Sequence, residues 1–136
     1  MKRSIALIST GGTIEKTYDE LRGVLSNQVS VLDVMLASLE LRGVDVHRVQ
    51  LMNKDSLDMS PEDHTLIAEI AGQLATVHGG VVVVHGTDRL AVSGERVVEL
   101  VLGTPEVVTL EINPLIVTVT GAWACDALLV ISEVTT

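Results

Sequence analysis

The chain has 136 residues, a formal net charge of −9, an apolar fraction of 47% and a single cysteine. One domain is the default at this length, with roughly 65–70% of the unfolded surface available for burial. The acidic balance argues against nucleic acid or an anionic membrane as partner; the lone Cys125 rules out an internal disulfide and fits a reducing, cytoplasmic compartment; and no uninterrupted run of about 18 apolar residues exists to span a membrane.

Met1-Lys2-Arg3 is basic, but the apolar run behind it is short and lacks a cleavage pattern, so it reads as a strand and not a signal peptide. That run, Ser4 to Ser9, stops in Thr10-Gly11-Gly12-Thr13-Ile14. A short apolar stretch bounded by a turn signal predicts a buried parallel strand. Paired glycines permit backbone conformations closed to other residues and allow another group to approach closely. The polar segment from Glu15 to Gly23 has no period and reads as a long loop, of the kind that forms lids. Ser30 offers an N-cap to a helix carrying Leu32, Met35, Leu36 and Leu39, ended by Gly43. Val44 to Met52 predicts a second strand, and residues 53–59 a loop.

Ser60 is the next N-cap, with Pro61 at the first helical position and Asp63 at the third. Leu66, Ile67, Ile70 and Leu74 form the expected apolar face of that helix, and Gly79-Gly80 ends the segment. Val81 to Val84 is a buried strand turning out through His85-Gly86-Thr87-Asp88. Leu90 to Leu102 has a helical pattern, stopped by Gly103 and Pro105. Leu110 to Ile112 and Leu115 to Thr120 read as strands, and Asp126 onward as the start of a last helix. This alternation predicts an α/β, three-layer, Rossmann-like domain: a mostly parallel sheet, right-handed crossovers and helices on both faces.

In such a sheet the loops that follow strands share the carboxyl edge, where ligands bind. Thr10 and Thr13, then Asp55, Ser56 and Asp58, then Thr87 and Asp88 therefore converge on one edge although distant in sequence. The set is hydroxyl-rich and acidic. It lacks a phosphate-loop lysine and a G-x-G-x-x-G run, which leaves a nucleotide-binding reading weak. A hydroxyl at a strand end is a candidate nucleophile that needs an activating partner. The bland readings are that Thr87 and Asp88 cap a helix and that Ser56 and Asp58 make ordinary turns. His47, His64 and His78 lack metal-ligand spacing and read as surface residues. His85 reads as a satisfied core imidazole, and Cys125 as a small core hydrophobe. No metal or cofactor is expected.

Thr10-Gly11-Gly12-Thr13-Ile14 resembles the first signature of the bacterial L-asparaginase (asparaginase/glutaminase) family, and His85-Gly86-Thr87-Asp88 the second. The segment from Asp55 to Asp63 is similar to the family's substrate loop and following helix. The resemblance runs from about Ser4 to Gly103, with Val119-Thr120-Gly121-Ala122 similar to a later strand end. It implies an N-terminal-type domain over residues 1–136, without the family's C-terminal domain, that hydrolyses L-asparagine to L-aspartate and ammonia. The residue matching the nucleophile is Thr13. Tyr18 matches the lid tyrosine, and Thr87 with Asp88 a second hydroxyl-activating cluster. Substrate would be held by Gly12, Asp55, Ser56, Gly86, Thr87 and Asp88, and the assembly would be a homodimer or homotetramer. Leu57 stands where the family usually has Gln. No lysine follows Lys54, so the family's catalytic lysine has no match, and Lys54 or a neighbouring subunit would have to supply the charge. The alternative is a non-catalytic amino-acid-binding or regulatory domain with the same pocket.

Overall fold

The computed structural model describes residues 1–27 and 30–103, and beyond them the backbone of the strands Val107–Ile112, Leu115–Thr118, Gly121–Ala124 and Ala127–Ile131. The first strand, β1 (Arg3–Gly11), lies inside a five-stranded sheet. It pairs in parallel with the strand Val44–Lys54 on one side, from Arg3 against Val44, and with Val81–Val84 on the other, from Ala6 against Val81. Being flanked on both edges explains its unbroken apolar character: Ala6, Ile8, Ser9 and Thr10 are all fully buried.

Between β1 and the edge strand, the expected long loop is instead a hairpin. A 3-10 turn (Thr13–Glu15) leads into β2 (Thr17–Asp19) and β3 (Val24–Ser26), paired antiparallel with Tyr18 opposite Leu25. Asp19 caps the reversal by accepting from the N–H groups of Leu21 and Arg22. Gly23, at φ 68, makes the left-handed step. These turn residues carry no hydrophobic period, which is why the sequence pattern does not show the strands. Helix α1 (Leu32–Ala37) is short; of its apolar stripe only Leu32 is buried, while Met35 and Leu39 are exposed. The N-cap position is Val31, not Ser30, but the Ser30 oxygen still accepts from the N–H of Leu32, the first helical residue, at 3.3 Å, while its hydroxyl donates to Glu15.

Strand β4 (Val44–Lys54) leads through a 3-10 turn (Ser56–Asp58) to α2 (Pro61–Ala75). The start of α2 is as expected: Ser60 and Asp63 exchange hydrogen bonds in a capping box, with Pro61 in the first turn. Its buried face differs. Ile67 is buried and Ile70 and Leu74, half-buried, pack against the core as expected, but the fully buried members that join the sheet residues are Ala71 and Ala75, and Leu66 is exposed. Small residues let the helix lie close to β1 and β5 (Val81–Val84), and Ala6, Ile8, Ala71, Ala75 and Val81 form the core. A 3-10 turn (Thr87–Arg89) opens α3 (Leu90–Leu102), which packs on α2. A side chain at Gly72 would run into Leu100 at 2.5 Å, which sets how near the two helices come.

The remaining strands are β6 (Val107–Ile112), β7 (Leu115–Thr118), β8 (Gly121–Ala124) and β9 (Ala127–Ile131). The sheet order is β4-β1-β5-β9-β6. Its first three members are parallel, but β9 runs antiparallel to both β5 and β6. Strands β7 and β8 form a separate hairpin. Ala127–Ile131 is thus a strand where a last helix was expected. Ala-Leu-Leu-Val-Ile is an apolar run too short to distinguish the two by period, and pairing to β5 and β6 decides it. Pro105, Thr120, Cys125 and Asp126 lie outside the described residues. The architecture is a mixed α/β fold built on a parallel three-strand unit. Among the described residues, no helix is long and apolar enough to cross a membrane.

Candidate active site

The end of β1 is held by its own neighbours. Register with β4 slips between Ser9 and Gly11, and the Thr10 hydroxyl donates to Val84 O on β5 at 2.7 Å. Gly11 and Gly12 adopt φ of 107° and 84°. A Cβ on Gly12 would lie 2.7 Å from the Gly86 backbone, and a Cβ on Gly86 would lie 2.7 Å from Ser56 Oγ. The ends of β1, β4 and β5 therefore meet at Gly12, Ser56 and Gly86, and only glycine fits at two of the three positions. Ser56 is buried beneath this contact, with its Oγ 3.5 Å from Asp88 Oδ2.

Around that point the side chains sort into fastened and open groups. Glu15 is fully buried, accepting from Gly11 N–H at 2.6 Å and from the Ser30 hydroxyl at 2.5 Å. Asn27 donates to Gly12 O and to Asn53 Oδ1, tying the end of the hairpin to the signature turn. Lys16 reaches across to Asp55 at 2.7 Å, and the other Asp55 oxygen accepts from Leu57 N–H. The Lys16 ammonium, then that amide, hold the Asp55 carboxyl below its ordinary value of 3.8. Thr13, Thr87 and Asp88 are exposed at the opening, and among the described residues the hydroxyls of Thr13 and Thr87 have no hydrogen-bond partner.

The sequence-expected residues divide accordingly. Gly12, Ser56, Gly86 and Asp88 come together through the contacts above. Thr13 and Thr87 adjoin them directly in the chain. Asp55 belongs to the same loop as Ser56, with its carboxylate turned to Lys16 and Leu57 N–H. Tyr18 stands on the β2–β3 hairpin, 61% exposed, and its hydroxyl makes no hydrogen bond among the described residues. Lys54 is engaged elsewhere: its ammonium pairs with both oxygens of Asp63 in the capping box of α2, at 2.8 and 2.9 Å. Among the described residues, no group of His, Cys, Asp and Glu is arranged to hold a metal.

Sequence reasoning missed the buried Glu15, the Lys16 and Asn27 ties and the placement of His64. His64 is buried, against the surface reading, and its Nδ1 lies 2.7 Å from Ser93 Oγ. The signal was present: positions 64, 67, 68, 71 and 75 make one helical stripe, the one that faces inward. His78 is also engaged, through Ser4 and by stacking on His47.

The parallel strands β4, β1 and β5 thus gather two glycine turns, a buried serine and open threonine hydroxyls at their carboxyl edge, the edge at which open α/β sheets take ligands. Residues 4–110 match the asparaginase N-terminal domain family, and the chain belongs to that family. It is 36% identical over 104 residues to a subunit of the glutamyl-tRNA(Gln) amidotransferase of Haloquadratum walsbyi, covering 75% of this chain and 23% of the relative. It is 32% identical over 115 residues to L-asparaginase 1 of Escherichia coli, covering 79% of this chain and 33% of the relative. Its structure resembles the thermostable L-asparaginase of Thermococcus kodakarensis, with a TM-score of 0.56 and 27% identity over 66% of this chain and 27% of that one. A probable cytoplasmic L-asparaginase of Campylobacter jejuni gives 0.55 and 30% over 68% and 30%. The chain thus spans 23% to 33% of these relatives' length.

Proposed function

We propose that this domain carries an amidohydrolase site that converts L-asparagine to L-aspartate and ammonia. The observation that supports it best is the convergence of Gly12, Ser56 and Gly86, which sets Thr13 and Asp88 around one opening. In this reading the Thr13 hydroxyl oxygen adds to the side-chain amide carbon while its proton passes to the amide nitrogen. The tetrahedral intermediate breaks its C–N bond and expels ammonia, and water then hydrolyses the threonine ester, releasing aspartate and restoring the hydroxyl. Asp88 and Ser56 hold the α-ammonium and α-carboxylate groups, and Tyr18 closes from the hairpin. The N–H groups of Gly11 and Gly12 are already bonded to Glu15 and to Lys54 O, so an oxyanion hole would draw on loop amides beyond them. The L-asparaginase relatives support this substrate class and a cytoplasmic setting, and membership of the family supports assembly into dimers or tetramers.

A second reading keeps the pocket and drops the turnover: an amino-acid-binding domain. It is favoured by the absence, among the described residues, of any group bonded to the Thr13 or Thr87 hydroxyl and by the commitment of Lys54 to Asp63. Ammonia release from asparagine and from glutamine, measured beside aspartate binding by calorimetry, separates the two. Asparagine turnover lost in Thr13→Ala supports the first reading. Aspartate binding without ammonia release supports the second, and neither signal would overturn both.

A further inference from the structure

Behind the Gly86 turn lies a chain of side chains that the proposed reaction does not use. His64 on α2 and His85 at the end of β5 stack with ring centroids 6.3 Å apart, and the buried Ser93 of α3 touches both. Its Oγ is 2.7 Å from His64 Nδ1 and 2.8 Å from His85 Nε2, and His85 Nδ1 is 2.6 Å from Gly86 O.

These partners fix every hydrogen. Gly86 O is a carbonyl and only accepts, so His85 Nδ1 carries a hydrogen and donates. A neutral imidazole has one N–H, which leaves His85 Nε2 an acceptor. The Ser93 hydroxyl must then donate to Nε2, and its oxygen is left to accept from His64 Nδ1–H. The hydrogen bonds all run one way, from His64 through Ser93 and His85 to the Gly86 carbonyl. Gly86 is the residue against which Gly12 and Ser56 pack, with no room for a Cβ, and it leads directly into Thr87 and Asp88.

We propose that His64, Ser93 and His85 are positioning residues: their one-way hydrogen-bond chain fixes the Gly86 peptide and through it the Thr87–Asp88 turn. The assignment to a substrate site rests on the amidohydrolase reading, whereas the chain itself does not. Burial is the main reason both imidazoles titrate below the ordinary value of 6.5, which keeps them neutral near pH 7. Protonating His85 would put a hydrogen on Nε2, and Ser93 would then face two donors and have to turn its own hydrogen away. The charged groups acting on the pair come from each packed element. Asp63 of α2 favours charge on His64; Arg89 of the turn and Arg96 of α3 oppose it; His64 opposes charge on His85. Because the folded values are lowered, the chain is intact above 6.5 and is lost as pH falls through them.

Long-range proton–nitrogen NMR spectra of the full chain at neutral pH should show hydrogen on Nδ1, not Nε2, of both His64 and His85. Hydrogen on Nε2 of either would overturn the chain. Ser93→Ala should shift the backbone amide resonances of Thr87 and Asp88, weaken aspartate binding roughly tenfold by leaving a buried ring nitrogen of His64 and a half-buried one of His85 unpaired, and change the fall in affinity with pH below 6.5. Ser93→Thr, which keeps the hydroxyl, should restore all three. Unmoved Thr87 and Asp88 amides in Ser93→Ala would overturn the positioning role. If Ser93→Ala does not fold, the parent tautomers and the Ser93→Thr shifts decide it. A parent chain that fails to bind aspartate refutes the substrate reading alone, because the tautomers and amide shifts are read without ligand.

Discussion

Residue by residue, the site separates groups that hold the backbone from groups that face solvent. Thr13 is exposed and its hydroxyl has no hydrogen-bond partner among the described residues, so removing that hydroxyl leaves packing intact. Thr13→Ala should lose ammonia release while its urea midpoint stays within experimental error of the parent; turnover near the parental rate would rule Thr13 out as nucleophile. Glu15 is the opposite case. Its carboxylate is fully buried and satisfies both Gly11 N–H and the Ser30 hydroxyl. Glu15→Ala would leave both donors without their acceptor, and an unpaired buried donor costs about 1–3 kcal/mol. Urea denaturation should show a loss in that range, and Glu15→Gln, which keeps an acceptor oxygen, a smaller one. In the proposed site, Asp88→Asn would remove a charge-assisted contact to an α-ammonium, worth about 1.5–3 kcal/mol. Calorimetry should show aspartate affinity falling by at least tenfold with stability little changed; lost stability with unchanged affinity would return Asp88 to a capping role.

Elements carry their own consequences. The capping box at Ser60 and Asp63 starts α2, and that helix supplies Ala71 and Ala75 to the core. Ser60→Ala should therefore cost about 1 kcal/mol, read as a lower urea midpoint with an unchanged slope. The hairpin after Thr13 is tied to the loop after β4 by the Lys16–Asp55 pair, part-exposed at 21% and 30%. A pair at that exposure contributes about 0.2–1 kcal/mol, so its effect belongs to hairpin mobility more than to global stability. Lys16→Met should speed proteolysis within residues 17–26 at neutral pH and leave the melting temperature nearly unchanged. The Asp55 carboxyl is held below 3.8, chiefly by Lys16. A lowered carboxyl contributes above its unfolded value and loses that contribution as pH falls through the folded one. Hairpin protection should accordingly be flat from neutral pH down to about 3.8 and fall only below it. A loss centred near pH 6 would point to the histidines instead.

For the whole molecule, several exposed apolar residues lie on β2, β3 and α1 and the segments beside them, namely Tyr18, Leu21, Val24, Leu25, Val34, Met35 and Leu39, with others such as Leu57, Leu66 and Val77 elsewhere. Exposed apolar surface of this kind marks interfaces. Sedimentation should give a mass that rises with concentration above that of one 136-residue chain, and a constant monomer mass would contradict it. The features legible from residue order alone are those whose cause is local. The apolar run ending at Gly11-Gly12 made a doubly flanked strand, Ser60-Pro61 began a helix, Val81 to Val84 made a strand beside β1 although only Val81 is buried, and loops that follow parallel strands share the edge that carries Thr13 and Asp88. The features that were not legible depend on a partner distant in the chain or on turn chemistry that carries no hydrophobic period. Ala127–Ile131 is a strand because β5 and β6 are there to pair with it. Residues 17–26 form a hairpin from turn chemistry without a hydrophobic period. Lys54 lost its place near the site to Asp63, and a histidine read as exposed became the first link of a chain to Gly86, because hydrogen-bond partners are chosen by proximity in space and not by spacing in sequence.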